Sequence, residues 1–271
     1  MISAKDFLGI ALSVSIVVAL GCSDNEANSV NANDVRIGWT DLSKQRVLFA
    51  HQSVGDNILE GARELAERDG VELPVENWAG GALGAGINHF RVGSNGDPQS
   101  KIEAFRVALG SVEGAPADIA LLKLCYVDFG AATDAKQLAN MYISAYRELA
   151  MAYPETKFVA VTAPLTVIQT GPKAWIKRAI GVPVGQSVEN AKRAEFNKLL
   201  RETFGPTRRV FDLAAIESSA SGSSGTKGGT AGRPEALAPA LTDDGGHLNR
   251  NGQRLVASEM LAFLADVSSE R

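Results

Sequence analysis

From Arg46 onward the chain alternates short apolar runs with longer segments whose apolar residues recur at helical spacing, the pattern of a parallel sheet covered by helices on both faces. "RVLFA" (46–50) predicts a first strand. "DNILEGARELAERDG" (56–70) follows, with Ile58, Ala62 and Leu65 on one helical face and Gly70 as a stop. "VELPVENW" (71–78) predicts a second strand, and the glycine-rich "AGGALGAG" (79–86) after it a turn or loop. Asp97-Pro98 opens a helix in "PQSKIEAFRVAL", "DIALLKLCYV" (118–127) reads as a strand buried on both faces, and "QLANMYISAYRELAMAYP" is the next helix. "KFVAVTAPL" and "RVFDLA" predict a fourth and a fifth strand with the helix "ENAKRAEFNKLLRETFG" between them. "GQRLVASEMLAFLADV" closes the chain as a helix with Val256, Met260 and Leu264 on one side. The expected fold class is α/β: a three-layer α/β/α sandwich around a five-stranded parallel sheet.

Two inserts interrupt this pattern. "TVIQTGPKAWIKRAIGVPVGQS" (166–187) follows the fourth strand, and the low-complexity "SSASGSSGTKGGTAGRPEALAPA" (218–240) follows the fifth. Both leave carboxyl ends of strands, where open α/β sheets hold ligands, so they could wall a site. The glycine and serine run reads equally as disordered.

Before residue 46 the pattern changes. "FLGIALSVSIVVALGC" (7–22) is apolar over a length that suits a signal segment better than a flanked membrane span. Ala19-Leu20-Gly21-Cys22 resembles the lipobox of bacterial lipoproteins, in which the cysteine becomes the lipidated first residue. An uncleaved anchor helix is the alternative, and both readings put the domain outside the cytoplasm. Polar "SDNEANSVNANDV" then reads as a flexible tether. The expected organisation is a signal peptide at 1–21, a tether at 22–37 and one domain at 38–271. Ser23 after the lipid site resembles outer-membrane sorting. With Cys22 lipidated, Cys125 is the one thiol left, which excludes an intrachain disulfide and a cysteine zinc site.

Composition narrows the function. The 271 residues are 45% hydrophobic and 21% charged with a net charge of -4, and no block of Lys or Arg offers a footprint for nucleic acid. Chemistry concentrates at the two ends of the domain. Ser53-Val54-Gly55-Asp56 has the spacing of a helix-capping serine, yet a serine just after a strand can also be a nucleophile. Asp244 and His247 stand three residues apart in a glycine turn before the last helix, where a carboxylate can hold an imidazole for proton transfer. A surface turn in which Asn249 or Asn251 caps that helix explains the same residues. Both pairs of readings stay open on the residues alone.

Taken together, the two ends resemble the SGNH (GDSL-like) hydrolase family over roughly 46–264. That family places its nucleophilic serine after the first strand and its Asp and His near the C-terminus as D-x-x-H. The resemblance implies the flavodoxin-like SGNH hydrolase fold, Ser53 as nucleophile, His247 as base, Asp244 as its orienting partner, and no cofactor. It also implies a backbone N–H after the second strand for the oxyanion, with Gly81 the first choice and Gly84 the reserve. The family's Gly-x-Asn-Asp segment reads Cys125-Tyr126-Val127-Asp128 here, so Val127 stands where an oxyanion asparagine is expected. Asn88 or Asn95, both expected in a loop, could substitute, as could Lys123, whose burial calls for a partner such as Asp128 or an ammonium reaching water. His51 is a candidate substrate contact or a packing residue, since neighbouring strand residues point to opposite faces. Trp175 could stack on a sugar or anchor its insert. His89 shows no partner, and three histidines so widely spaced suggest no metal. The α/β-hydrolase elbow G-x-S-x-G is excluded by His51 in place of its first glycine and by chain order.

The expected activity is acyl-ester hydrolysis by an exported, lipid-anchored serine esterase. Its partners would be an ester-bearing small molecule or an acetylated glycan, and the membrane through Cys22. Acetyl transfer by the same residues, or a binding lipoprotein without turnover, are the alternatives.

Overall fold

Val47 and Phe49 of the first strand face one hydrophobic cluster, and Leu48 and Ala50 face another. A strand buried on both sides demands this alternation. The computed structural model that shows it describes residues 39–169, 171–172, 176, 179–180, 184–219 and 235–270. The elements run α1 (Trp39–Leu42), β1 (Arg46–His51), α2 (Ser53–Arg68), β2 (Val75–Asn77), β3 (Gly81–Ala82), β4 (Gly86–Arg91), α3 (Pro98–Gly110), β5 (Val112–Glu113) and β6 (Ile119–Leu122). They continue with α4 (Ala135–Ala152), β7 (Lys157–Val161), α5 (Ser187–Phe204), β8 (Val210–Phe211), α6 (Leu213–Ser219) and α7 (Arg250–Ser269).

One sheet of six strands, in the order β2-β4-β1-β6-β7-β8 and parallel throughout, forms the middle layer. Buried residues of α2, α6 and α7 cover one face, and those of α3, α4 and α5 cover the other. The sheet therefore has six strands where five are expected. The missed strand is β4, "GINHFR", whose polar Asn88, His89 and Arg91 hide it in an apolar count. Asn88 is nonetheless buried, because its amide donates to the Gly84 and Val47 carbonyls and accepts from the Gly84 N–H. The expected second strand shrinks to β2 at the sheet edge, with β4 between it and β1. Gly81 and Ala82, expected in a loop, pair as β3 with β5 in a separate two-stranded ladder.

Helix boundaries follow their caps. Asp97 caps α3, with Pro98 at its first position, Asp134 caps α4, and Asn249 caps α7 by accepting from the Gly252 N–H. The helices α2 and α7 pack against each other, and Gly61 makes their closest approach possible: a Cβ there would lie 2.3 Å from the Gln253 carbonyl oxygen. One turn on, Glu64 accepts from Arg250 and Arg254, whose guanidinium groups hold its carboxyl down at about 2. No described helix is long and apolar enough to cross a membrane.

The topology also locates a crevice. From β1 the chain enters α2 on one face, and from the adjacent β6 it proceeds to α4 on the other. Neighbouring strands with connections to opposite faces part at their carboxyl ends, where such sheets bind ligands.

Candidate active site

Ser53 stands at that crevice. The N-cap of α2 is Gln52, in extended conformation, so Ser53 is the first residue inside the helix and its hydroxyl caps nothing. The Gln52 side chain is also used elsewhere, donating to the Val92 and Gly93 carbonyls at 2.8 and 3.1 Å. The Ser53 hydroxyl instead points across the crevice to His247, with Oγ 3.0 Å from Nε2.

The imidazole is held from behind. His247 Nδ1 donates to Asp244 Oδ2 at 2.6 Å, which leaves the Nε2 lone pair facing Ser53. Asp244 Oδ1 accepts from the Gly246 and His247 backbone N–H groups at 2.9 and 2.8 Å. With the His247 ring first and these two N–H groups behind it, the Asp244 carboxyl stays ionised far below its ordinary range. Gly245 adopts φ 91°, a left-handed conformation that glycine takes without strain, and this closes the turn. Asn57 Oδ1 accepts from the Leu248 N–H at 3.2 Å and ties the turn to α2. Asn249 caps α7 as well, so one turn carries both the carboxylate–imidazole pair and the helix cap.

Tyr126, on the loop after β6, completes the immediate surroundings. Its Oη lies 3.4 Å from His247 Nε2, and its ring meets the imidazole edge-on at 5.7 Å between centroids. Gly246 makes room for that ring, since a Cβ there would lie 3.0 Å from Tyr126 Cζ. Arg193 grips the Tyr126 carbonyl through Nε and Nη2 at 3.2 and 2.9 Å, and also donates to Thr166 and Asn190. Burial pushes this guanidinium down to about 10. Beyond Tyr126 opens a cavity of about 590 Å³ with Val127, Gln169, Gln186, Glu189 and Gly246 in its wall. Sequence reasoning missed Tyr126, although its place beside Val127 in the departing motif was the available signal.

The remaining candidates fall elsewhere. Gly81 follows the edge strand β2, and its carbonyl accepts from Trp78 Nε1. The loop that touches the Ser53 turn is the one after β4, Val92 to Asp97, where Val92 N–H also bonds the His51 carbonyl. The Gly84 N–H and the Asn88 amide are engaged with each other. Asn95 does lie in the Val92–Asp97 loop, with Oδ1 accepting from Lys101. His51 is fully buried, with its ring against Phe49 and His89, which is the packing place expected as its alternative. Trp175 and Cys22 lie outside the described residues.

His89 has a partner after all. The parallel register of β1 and β4 brings its Nδ1 to 3.1 Å from His51 Nε2, while His51 Nδ1 bonds the Gln52 carbonyl. Burial pushes the His51 ring down to about 4. With Asp56, these histidines form the one group among the described residues that could hold a metal, their ligand atoms within 4.8 Å of one another. Their nitrogens are taken up in the protein's own hydrogen bonds, and the cations Arg63 and Arg91 stand beside them.

Lys123 neither pairs with Asp128, which Lys101 takes, nor extends to the surface. Its buried Nζ meets the Leu124 carbonyl at 3.3 Å, and burial lowers its pKa. Nearby Glu217 is buried too, raised to about 8, with Oε1 unpartnered among the described residues.

No family model matches the sequence, and no curated protein matches it. Solved structures do. The chain is similar to G-D-S-L-type lipolytic proteins. One, a G-D-S-L family protein from Desulfitobacterium hafniense, is 11% identical over 82% of this chain and 99% of that chain, with a TM-score of 0.47. Another, assigned as a GDSL-like lipase from Parabacteroides merdae, is 14% identical over 82% and 97% of the two chains, with a TM-score of 0.48. The periplasmic domain of a Salmonella lipopolysaccharide acetyltransferase is 8% identical over 80% and 83%, with a TM-score of 0.41.

Proposed function

We propose that the chain is a serine esterase that cleaves acyl esters through Ser53, His247 and Asp244. One observation supports this above the others: hydrogen bonds run unbroken from the Ser53 hydroxyl through the imidazole to a carboxylate, across 194 residues of sequence. Ser53 Oγ attacks the carbonyl carbon while His247 Nε2 takes its proton. His247 then returns that proton to the leaving alcohol, and Asp244 holds the ring and the imidazolium charge. The Ser53 N–H, in the first turn of α2 where backbone donors have no intrahelical partner, faces the developing oxyanion with the favourable end of the helix dipole. The second donor comes from the Val92–Asp97 loop, including Asn95, rather than from Gly81.

The cavity supports one substrate class over another. Amide and carboxylate groups of Gln169, Gln186 and Glu189 in its wall suit the hydroxyls of a sugar better than an alkyl chain. An acetylated glycan or a small polar ester is the proposed substrate, met at the cell envelope by a protein tethered through Cys22.

The test is release of p-nitrophenol from p-nitrophenyl acetate by the soluble domain, beside Ser53→Ala and His247→Ala. Turnover that both substitutions abolish, with fluorophosphonate labelling of Ser53, is the expected result. Equal release by all three proteins would leave a binding lipoprotein on the same fold.

A further inference from the structure

We propose that the Tyr126 hydroxyl is a catalytic group on the alcohol side of the reaction, hydrogen-bonding the ester oxygen as it leaves. This rests on the serine esterase reading above. Ser53 Oγ and Tyr126 Oη both lie within 3.4 Å of one atom, His247 Nε2. That nitrogen takes the serine proton and must next hand it to the departing oxygen, so the departing oxygen comes to rest beside it. Tyr126 Oη is already there.

The cavity points the same way. Tyr126, Asp244, Gly245 and Gly246 all line it, so it opens on the imidazole's side of the crevice and is placed to receive the alcohol half of the ester. The phenol is also fixed in position. Arg193 holds its backbone carbonyl, and its ring packs so close to Gly246 that a Cβ there would lie 3.0 Å from Cζ. Burial first, with the charge of Asp244 adding, raises the phenol above its ordinary range, so it remains a donor wherever the carboxylate and imidazole can work.

The proton balance is simple. During acylation the bond from Ser53 Oγ to the acyl carbon forms and the bond to the alcohol oxygen breaks. The proton lost by Ser53 travels through Nε2 to that oxygen. Tyr126 keeps its own proton throughout and donates a hydrogen bond to the oxygen while it carries negative charge.

Leaving-group dependence distinguishes this from a structural role. A hydrogen bond to a charged oxygen is worth about tenfold or more in rate. For an alkyl acetate, whose alcohol leaves as a strong base, Tyr126→Phe is expected to lower kcat/KM by about tenfold or more. For p-nitrophenyl acetate, whose phenolate needs little help, the loss is expected to stay within about threefold. Fluorophosphonate labelling, which expels fluoride, reports on Ser53 and His247 in the same variant and is expected to persist. Equal losses for both esters, or no loss for either, overturn the proposal, and so does a variant that no longer labels. A wild-type protein without serine-dependent turnover overturns the esterase reading instead, a result distinct from an active enzyme indifferent to Tyr126→Phe.

Discussion

Lys101 Nζ lies 2.7 Å from both carboxylate oxygens of Asp128, and neither side chain is exposed. Asp128 also accepts from the Cys125 and Gly96 N–H groups, so the pair joins the loop after β4 to the loop that carries Tyr126. Removing one partner of a buried ion pair leaves the other charge without compensation, at a cost of about 3–5 kcal/mol. Lys101→Met is therefore expected to lower the urea midpoint strongly. Unfolding no easier than wild type would show that the two N–H groups suffice to hold the carboxylate.

Asp244 offers a cleaner separation of activity from stability. Asn at this position keeps Oδ1 as acceptor for the Gly246 and His247 N–H groups but turns an amide N–H toward Nδ1, forcing the wrong tautomer. Asp244→Asn is expected to cost about 10⁴ in kcat. Because the side chain is exposed, Tm should change little. A kcat within tenfold of wild type would remove Asp244 from the proposed mechanism.

Val127 invites a gain of function. It is 44% exposed at the cavity wall, so replacing it disturbs no core. If the serine mechanism operates with one oxyanion donor too few, Val127→Asn should raise kcat, toward the ~10²-fold that such a donor supplies. Steady-state rates on p-nitrophenyl acetate would read this, and an unchanged or lower kcat would mean that the amide cannot reach the oxyanion.

His51 makes stability depend on pH. Its folded pKa of about 4 lies below the ordinary 6.5, so between those values the unfolded chain binds more protons. Stability is thus fully present above about pH 6.5 and is lost as pH falls toward 4, by up to about 3 kcal/mol. His89 is lowered as well and acts in the same direction. Denaturant titrations at pH 7 and pH 5 should show a steeper loss for the wild type than for His51→Asn, and parallel losses would assign the effect to other groups.

What the sequence disclosed follows from where the signals lie. The strands β1, β6 and β7 carry continuous apolar residues because both faces are covered, and that pattern is local. Ser53 and the Asp244–His247 turn were legible for a different reason: each chemistry sits within four residues of sequence. The meeting of His51 with His89 was not, because it depends on the register of two strands with a helix and two short strands between them in the chain. The β4 strand was hidden because its polar Asn88 finds all its partners in backbone, which no periodicity reports. Lys101 replaced Lys123 as the partner of Asp128 for a like reason, since the choice between two lysines is made by the packing of α3.

The contact at Gly61 has a reach well beyond its own turn. Ser53 lies eight residues before it, about 12 Å along a stiff rod, and His247 hangs just ahead of the rod that Gly61 abuts. A methyl group there would act as a wedge at a fulcrum, prising α2 from α7 and swinging the hydroxyl away from the imidazole while leaving every reacting group chemically intact. The spacing between the Ser53 hydroxyl and the His247 imidazole is thus gauged by a residue with no side chain to contribute.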